Sequence, residues 1–158
     1  MNKKIILVII ILFSQCVKEN SSDTNEFING TTSRHSLVYD GLNREYLIYI
    51  PNNYNQSEEL PLLFNFHGFG GSVSYYMSYV DMRPLAESNN FILVYPQGSL
   101  LGGYPHWNAG LDNNENKSNV DDYGFVEELI NYISSNLSIN QNRIYSCGFS
   151  NGSFFSYS

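Results

Sequence analysis

Two periods alternate along this chain. Ser33–Tyr39 and Arg44–Ile50 are short strand-like runs, the second placing Tyr46, Ile48 and Ile50 on one face and Leu47 and Tyr49 on the other. Asp40-Gly41 between them supplies hairpin turn chemistry. Leu60–Phe66 and Phe91–Tyr95 are apolar almost throughout, as strands covered on both faces must be. Between them, Tyr75–Asn89 reads as one helix with Met77, Val80, Leu85 and Ala86 inward, disturbed by Pro84. Ser99–Asn119, dense in Gly and Asn, reads as a long loop. From about Val120, Phe125, Val126, Leu129, Ile130, Ile133 and Leu137 recur at three- and four-residue steps and predict the clearest helix. Arg143–Gly148 is a last strand and Ser153–Tyr157 a helix start. Strands alternating with helices predict an α/β fold, a mostly parallel sheet with flanking helices.

The N-terminus follows different rules. Lys3 and Lys4 precede nine apolar residues, Ile5–Phe13, too few to span a bilayer and the right size for a signal-peptide core. Residues 1–15 are therefore expected to be an export signal, 16–32 a flexible polar linker, and 33–158 the folded part. Ser14-Gln15-Cys16 leaves two readings open. Lipidation of Cys16 would tether a bacterial cell-envelope protein to the membrane, whereas an ordinary signal peptide cleaved nearby would leave a secreted chain with a stray thiol.

Composition narrows the function. The 158 residues carry 42% hydrophobic and 15% aromatic side chains, which excludes disorder over most of the length. The formal charge is −7, more negative still without Lys3 and Lys4, which argues against nucleic acid as a partner. Two cysteines, Cys16 and Cys147, make neither a disulfide framework nor a cysteine zinc site. No metal and no organic cofactor is expected.

The chemistry sits near the end. Gly148-Phe149-Ser150-Asn151-Gly152 matches the G-x-S-x-G turn that lifts a serine nucleophile above a sheet. Glycines at 148 and 152 fit because that strand-to-helix turn is too tight for Cβ atoms. His67-Gly68-Phe69-Gly70-Gly71 follows the first buried strand, where such folds place an oxyanion loop. The Phe69 or Gly70 N–H would donate there beside that of Asn151. His67 reads as a hydrogen-bonding support beneath the loop, His35 and His106 as surface residues. Asp121 and Asp122 read as helix cap and loop anchor, Cys147 as a buried small hydrophobe. Trp107 is open between a substrate-binding platform and a plug holding its loop to the core. The thirteen tyrosines mark no single site.

Several segments in order resemble one family. They are Arg44-Glu45-Tyr46, Pro61-Leu62-Leu63, His67-Gly68, Tyr95-Pro96-Gln97-Gly98 and Trp107-Asn108-Ala109-Gly110. Asn119-Val120-Asp121-Asp122, Gly124-Phe125 and the serine turn follow. Together they resemble the esterase/polyhydroxybutyrate-depolymerase-like α/β-hydrolases, which include feruloyl and acetylxylan esterases. The resemblance implies the α/β-hydrolase fold, a secreted serine esterase, Ser150 as nucleophile, and Phe69 and Asn151 as oxyanion donors. Feruloyl or acetyl esters of plant polysaccharide, or polyester, would be substrates. A small or sulfur-bearing residue is usual where Phe69 stands, and Gly is common where Ser153 stands, so pocket shape departs from the pattern.

A serine nucleophile also needs a base and an acid, which in this fold follow it as Asp or Glu and then His. Neither type occurs among the eight residues after Ser150. The expectation is a fold truncated after the nucleophile turn and inactive alone. Two other readings are a serine peptidase of the same fold and a noncatalytic glycan-binding remnant using Trp107.

Overall fold

A computed structural model describes residues 27–110 and 118–158. Cys16, the export signal and most of the expected linker lie outside the described residues. Seven strands and four helices follow in order: β1 (Thr32–Tyr39), β2 (Leu42–Tyr49), β3 (Leu60–Phe66), α1 (Val73–Tyr79), α2 (Arg83–Asn89), β4 (Ile92–Pro96), β5 (Ser99–Leu101), β6 (Tyr104–His106), α3 (Asp122–Asn136), β7 (Ile139–Gly148) and α4 (Asn151–Tyr157).

Five strands form one sheet in the order β1-β2-β4-β3-β7. The β1–β2 and β2–β4 pairs are antiparallel, and β4–β3 and β3–β7 are parallel. The sheet is mixed rather than mostly parallel, because the leading hairpin adds its two strands in the antiparallel sense. Asp40 and Gly41, at φ 47° and 73°, make the tight hairpin turn the sequence called for.

Strand alternation sorts the core into two layers. Tyr46, Ile48, Leu62, Phe64, Ile92 and Val94 face α3 and α4, where Phe125, Leu129, Ile133 and Phe155 cover them. Leu47, Tyr49, Leu93 and Tyr95 face α1 and α2, meeting Val73, Tyr76, Met77 and Ala86. Burying each large side chain stabilises by about 1.5–3 kcal/mol, so both faces are needed to hold the central strands.

Three expectations change here. The single helix over 75–89 is two. Proline has no N–H and clashes inside a helix, so Pro84 takes the first turn of α2 instead. Tyr95 spans the break, its hydroxyl donating to Val80 O at 2.6 Å and accepting from Met82 N at 3.2 Å. Leu85 is exposed, since the restart at Arg83 rotates the register. The 99–119 loop contains the β5–β6 hairpin, turned through Gly102-Gly103. Residues 27–31, assigned to the linker, belong to the folded body: the Phe27 ring lies 4.9 Å from that of His35, and Gly30 N–H donates to Ile50 O at 2.7 Å. Among the described residues no helix is long and apolar enough to cross a membrane.

Candidate active site

The centre of the site is the turn from β7 into α4. Ser150 stands at φ 51°, ψ −117°, a conformation L-residues avoid and one that costs about 1–3 kcal/mol. Its neighbours hold it there. Phe149 N–H donates to Phe66 O at 3.0 Å, and Ser153 and Phe154 N–H both donate to Ser150 O. A Cβ on Gly152 would overlap the Phe66 and His67 carbonyl oxygens, and one on Gly148 would come within 2.5 Å of Gly152 C. Only glycine lets β3 and the turn approach this closely. The strain therefore presents an exposed serine at the C-terminal end of the parallel strands.

The loop after β3 abuts that serine. A Cβ placed on Gly68 would lie 3.5 Å from Ser150 Cβ and 3.1 Å from the Phe149 ring. Gly70 N–H donates to Pro105 O at 2.7 Å, which removes it from the donor pair left open by the sequence. Phe69 N–H, like that of Asn151, donates to no other backbone group among the described residues. The Phe69 ring is about half exposed and lies 5.9 Å from Tyr104.

His67 is fully buried and both its nitrogens are engaged. Nε2 accepts from Gly98 N–H at 2.9 Å and Nδ1 donates to Gly68 O at 2.7 Å, which fixes the neutral tautomer. Gln97 completes the brace, its Nε2 3.0 Å from the same His67 Nε2, donating to Gly71 O at 3.1 Å, while its Oε1 accepts from Val73 N–H at 2.8 Å. Burial holds the His67 imidazole below its ordinary value of 6.5, against a weaker opposing pull from the Gly68 carbonyl. As pH falls through 6.5 the unfolded chain takes the proton first, so stability present above 6.5 is lost progressively below it. The urea midpoint should fall between pH 7.5 and 5. Replacing His67 by Asn should remove part of that fall, leaving the share of His35, which burial shifts the same way. Asp81, Asp121 and Glu87 are also held low, but from starting values of 3.8 and 4.5 they act only at lower pH. An unchanged midpoint in wild type across that window would contradict this account.

Trp107 is a plug. It is fully buried, stacked on Phe155 at 5.0 Å and edge-on to Phe66 at 4.9 Å, with Nε1 donating to His67 O at 3.1 Å. It cannot act as a substrate-binding platform, and glycan binding through it goes too. The Asn151 side chain clamps its backbone, accepting from Trp107 N–H at 2.7 Å and donating to Trp107 O at 2.9 Å. His35 and His106, expected at the surface, are buried. His35 lies 2.7 Å from Ser33 Oγ and stacks on Tyr46, and His106 Nδ1 is 3.1 Å from Ser99 O.

Asp121 caps α3, accepting from Gly124 N–H at 2.9 Å. Asp122 is fully buried and pairs with Arg44 at 2.6 Å while accepting from Asn108 N–H at 2.9 Å. Cys147 is half-buried, and burial pushes its thiol up, away from nucleophilic character.

Comparison with known proteins follows the same outline. The chain is 30% identical over 141 residues to feruloyl esterase D of Neurospora crassa, spanning 82% of this chain and 44% of that one. It is 29% identical over 117 residues to a bifunctional acetylxylan esterase/xylanase of Neocallimastix patriciarum, spanning 74% of this chain and 16% of that one. The chain is a homologue of feruloyl and acetylxylan esterases. It spans less than half the length of these curated relatives. No family model matches it. Among solved structures, a ferulic acid esterase superposes with a TM-score of 0.59 at 21% identity, covering 80% of this chain and 51% of that one. Acetyl xylan esterase from Aspergillus awamori gives 0.58 at 20%, covering 76% and 43%. These place the esterase homologue in the α/β-hydrolase fold.

Some of the site's surroundings carry no local sequence signal. Gln97 follows β4 with no local sequence signal for its three partners, His67, Gly71 and Val73. The tyrosines do gather. Tyr75 and Tyr79 lie four apart on α1, and with Phe69, Tyr76 and Phe149 they line a cavity of about 250 Å³ beside Gly68. A larger cavity of about 450 Å³, along Arg44, Gln97 and Leu100, shares no lining residue with the serine turn.

Proposed function

We propose that this esterase homologue is exported and supplies the nucleophile and oxyanion donors of a carboxylic ester hydrolase. Its substrates are feruloyl or acetyl esters of plant polysaccharide, with polyester as a further class. The strained, exposed Ser150 at the β7–α4 turn carries this reading, because backbone strain of that kind persists where chemistry uses it. The names of the relatives direct it to esters rather than amides. Lys3, Lys4 and the apolar run after them support export, and Cys16 supports a lipid tether.

In the reaction, Ser150 Oγ attacks the acyl carbonyl carbon while its proton passes to a general base. The oxygen turning anionic accepts hydrogen bonds from the Phe69 and Asn151 N–H groups, each such donor worth about 3–4 kcal/mol. Collapse expels the alcohol, which takes the proton back and leaves an acyl-serine. Water, deprotonated by the same base, then releases the acid.

The base is not one of this chain's three histidines. His67 has both nitrogens engaged, His106 is buried with Nδ1 3.1 Å from Ser99 O and Nε2 3.3 Å from Asn108 Oδ1, and His35 is buried on β1 with Nε2 2.7 Å from Ser33 Oγ. General-base assistance is worth about 10²–10⁴-fold, and without it a serine hydroxyl barely reacts. The 158-residue chain should hydrolyse p-nitrophenyl acetate no faster than its Ser150→Ala variant. Joined to the part of the Neurospora relative beyond the matched region, it should hydrolyse methyl ferulate in a Ser150-dependent way. Serine-dependent turnover by the chain alone would put a base within these residues. A fusion that melts cooperatively yet shows no serine-dependent turnover would sink the hydrolase reading.

A further inference from the structure

The end of the sheet opposite the serine turn carries a separate cleft, built from side-chain amides and two rings. Its volume of about 380 Å³ lies within the usual range of roughly 300–1,000 Å³ for small-molecule sites. We propose that Phe27, Asn29, Tyr54, Asn55, Gln56 and Asn136 form a binding cleft for a neutral oligosaccharide, away from the reaction centre. The proposal stands independently of the ester-hydrolase reading.

Place comes first. Residues 54–56 precede β3, which starts at Leu60, and Asn136 ends α3 just before β7 starts at Ile139. The serine turn follows the other ends of the same two strands, so the length of β3, about 20 Å, separates the two sites. A sugar chain held in the cleft leaves Ser150 uncovered.

The amides are pinned by their nitrogens. Asn29 Nδ2 donates to Tyr54 O at 2.8 Å, Gln56 Nε2 to Asn136 O at 3.1 Å, and Asn136 Nδ2 to Tyr132 O at 2.7 Å. Each of these three keeps an amide oxygen with no partner among the described residues. Asn55 is the reverse: its Oδ1 accepts from Ser57 N–H at 3.0 Å, and its amide nitrogen has no partner among the described residues. The cleft thus presents three acceptors and one donor already held in place, which lowers the entropy cost of binding.

Chemistry then selects the occupant. Sugar hydroxyls donate from neighbouring ring carbons, which matches an acceptor-rich lining, while the C–H face of the ring can rest on Phe27 and Tyr54. The lining holds no Asp, Glu, Lys, Arg or His, so an ion finds nothing there to pair with. Glu58 and Glu59, exposed and close along the chain, would repel an anionic sugar. An extended peptide turns only every second N–H to one side, roughly 7 Å apart, and meets fewer of the acceptors.

Chemical-shift mapping on the 158-residue chain tests this, with xylohexaose and cellohexaose as probes. At least one should bind saturably, with shifts centred on the side-chain amides of Asn29, Asn55, Gln56 and Asn136. The wild-type map needs no variant, so it decides the matter even where a substitution fails to fold. Asn55→Ala and Gln56→Ala should each weaken binding about 3- to 10-fold, as the loss of one hydrogen bond does. Gln141→Ala, exposed and outside the cleft, should leave it unchanged. Polygalacturonate, with a carboxylate on every ring, should compete poorly, and a Gly-Ser hexapeptide should not compete. No saturable binding by either sugar, shifts centred elsewhere, or affinity indifferent to both amides would each overturn the proposal. Stronger binding by polygalacturonate or by the peptide would do the same. Ser150→Ala should bind the sugars as wild type does, so the two readings fail separately. Sugar binding beside a fusion without serine-dependent turnover would reject the hydrolase alone, and turnover without sugar binding would reject the cleft alone.

Discussion

Trp107→Ala should destabilise the protein by about 3–5 kcal/mol, the range for truncating a fully buried tryptophan. The ring contacts Phe66, His67 and Phe155, each centroid within about 5 Å, so no single neighbour can collapse into the space it leaves. The indole N–H is also the donor to His67 O, and its removal strands a buried carbonyl. At this chain length the melting temperature should fall by roughly 2–4 °C per kcal/mol. Trp107→Phe separates the two effects: it keeps most of the packing and loses the hydrogen bond, so it should cost clearly less. The Asn151 clamp grips the backbone of residue 107 and survives either change in principle. Its geometry depends on the ring beneath it, however, so the fusion should lose serine-dependent rate in the alanine variant even below its melting point. Urea unfolding is the direct measurement. A shift under about 0.5 kcal/mol, as surface substitutions give, would mean that the ring is not a core residue.

That position also shows where a sequence stops being readable. The strands were legible because their alternation is locally encoded: Tyr46, Ile48 and Ile50 against Leu47 and Tyr49 sort to the two layers as their period requires. The serine turn was legible because Gly148 and Gly152 leave a signature at fixed spacing. What failed was everything set by partners distant in sequence. Trp107 is oriented by Asn151, 44 residues later, and His106 is enclosed by Ser99 across a hairpin. That hairpin had a local signal, Gly102-Gly103 between Leu100-Leu101 and Tyr104, which the density of Gly and Asn concealed. Leu85 was misplaced because Pro84 restarts the helix instead of bending it, and the register rotates with the restart. The aromatic cavity beside Gly68 was invisible for a related reason. Its rings come from the loop after β3, from α1 and from the serine turn, and the folded sheet alone brings those three together.

Asp122→Ala should be equally costly, about 3–5 kcal/mol, by leaving a buried charge without its partner. The carboxylate is fully buried and has three donors: Arg44 Nη2 at 2.6 Å, Asn108 N–H at 2.9 Å and Ser99 Oγ at 3.3 Å. Arg44 is itself almost wholly buried, its guanidinium 4.0 Å above the Phe125 ring, and burial already pulls it below its ordinary value. Its other terminal nitrogen, Nη1, has no partner among the described residues, so the ion pair holds most of the compensation for that desolvated charge. The pair fastens β2 to the start of α3, while Asn108 and Ser99 tie the segment carrying Trp107 to the same carboxylate. The cost should therefore divide. Asp122→Asn keeps an acceptor for Asn108 and loses the charge, which should place it between wild type and alanine. Arg44→Leu combined with Asp122→Ala removes both charges, and the double variant should be more stable than the sum of the singles by roughly 0.5–3 kcal/mol. Additive losses in that cycle would show that the aspartate acts through its loop hydrogen bonds alone. Strong coupling would make the Arg44–Asp122 pair the joint that fixes the Trp107 segment, and through the Asn151 clamp the serine turn, to the sheet.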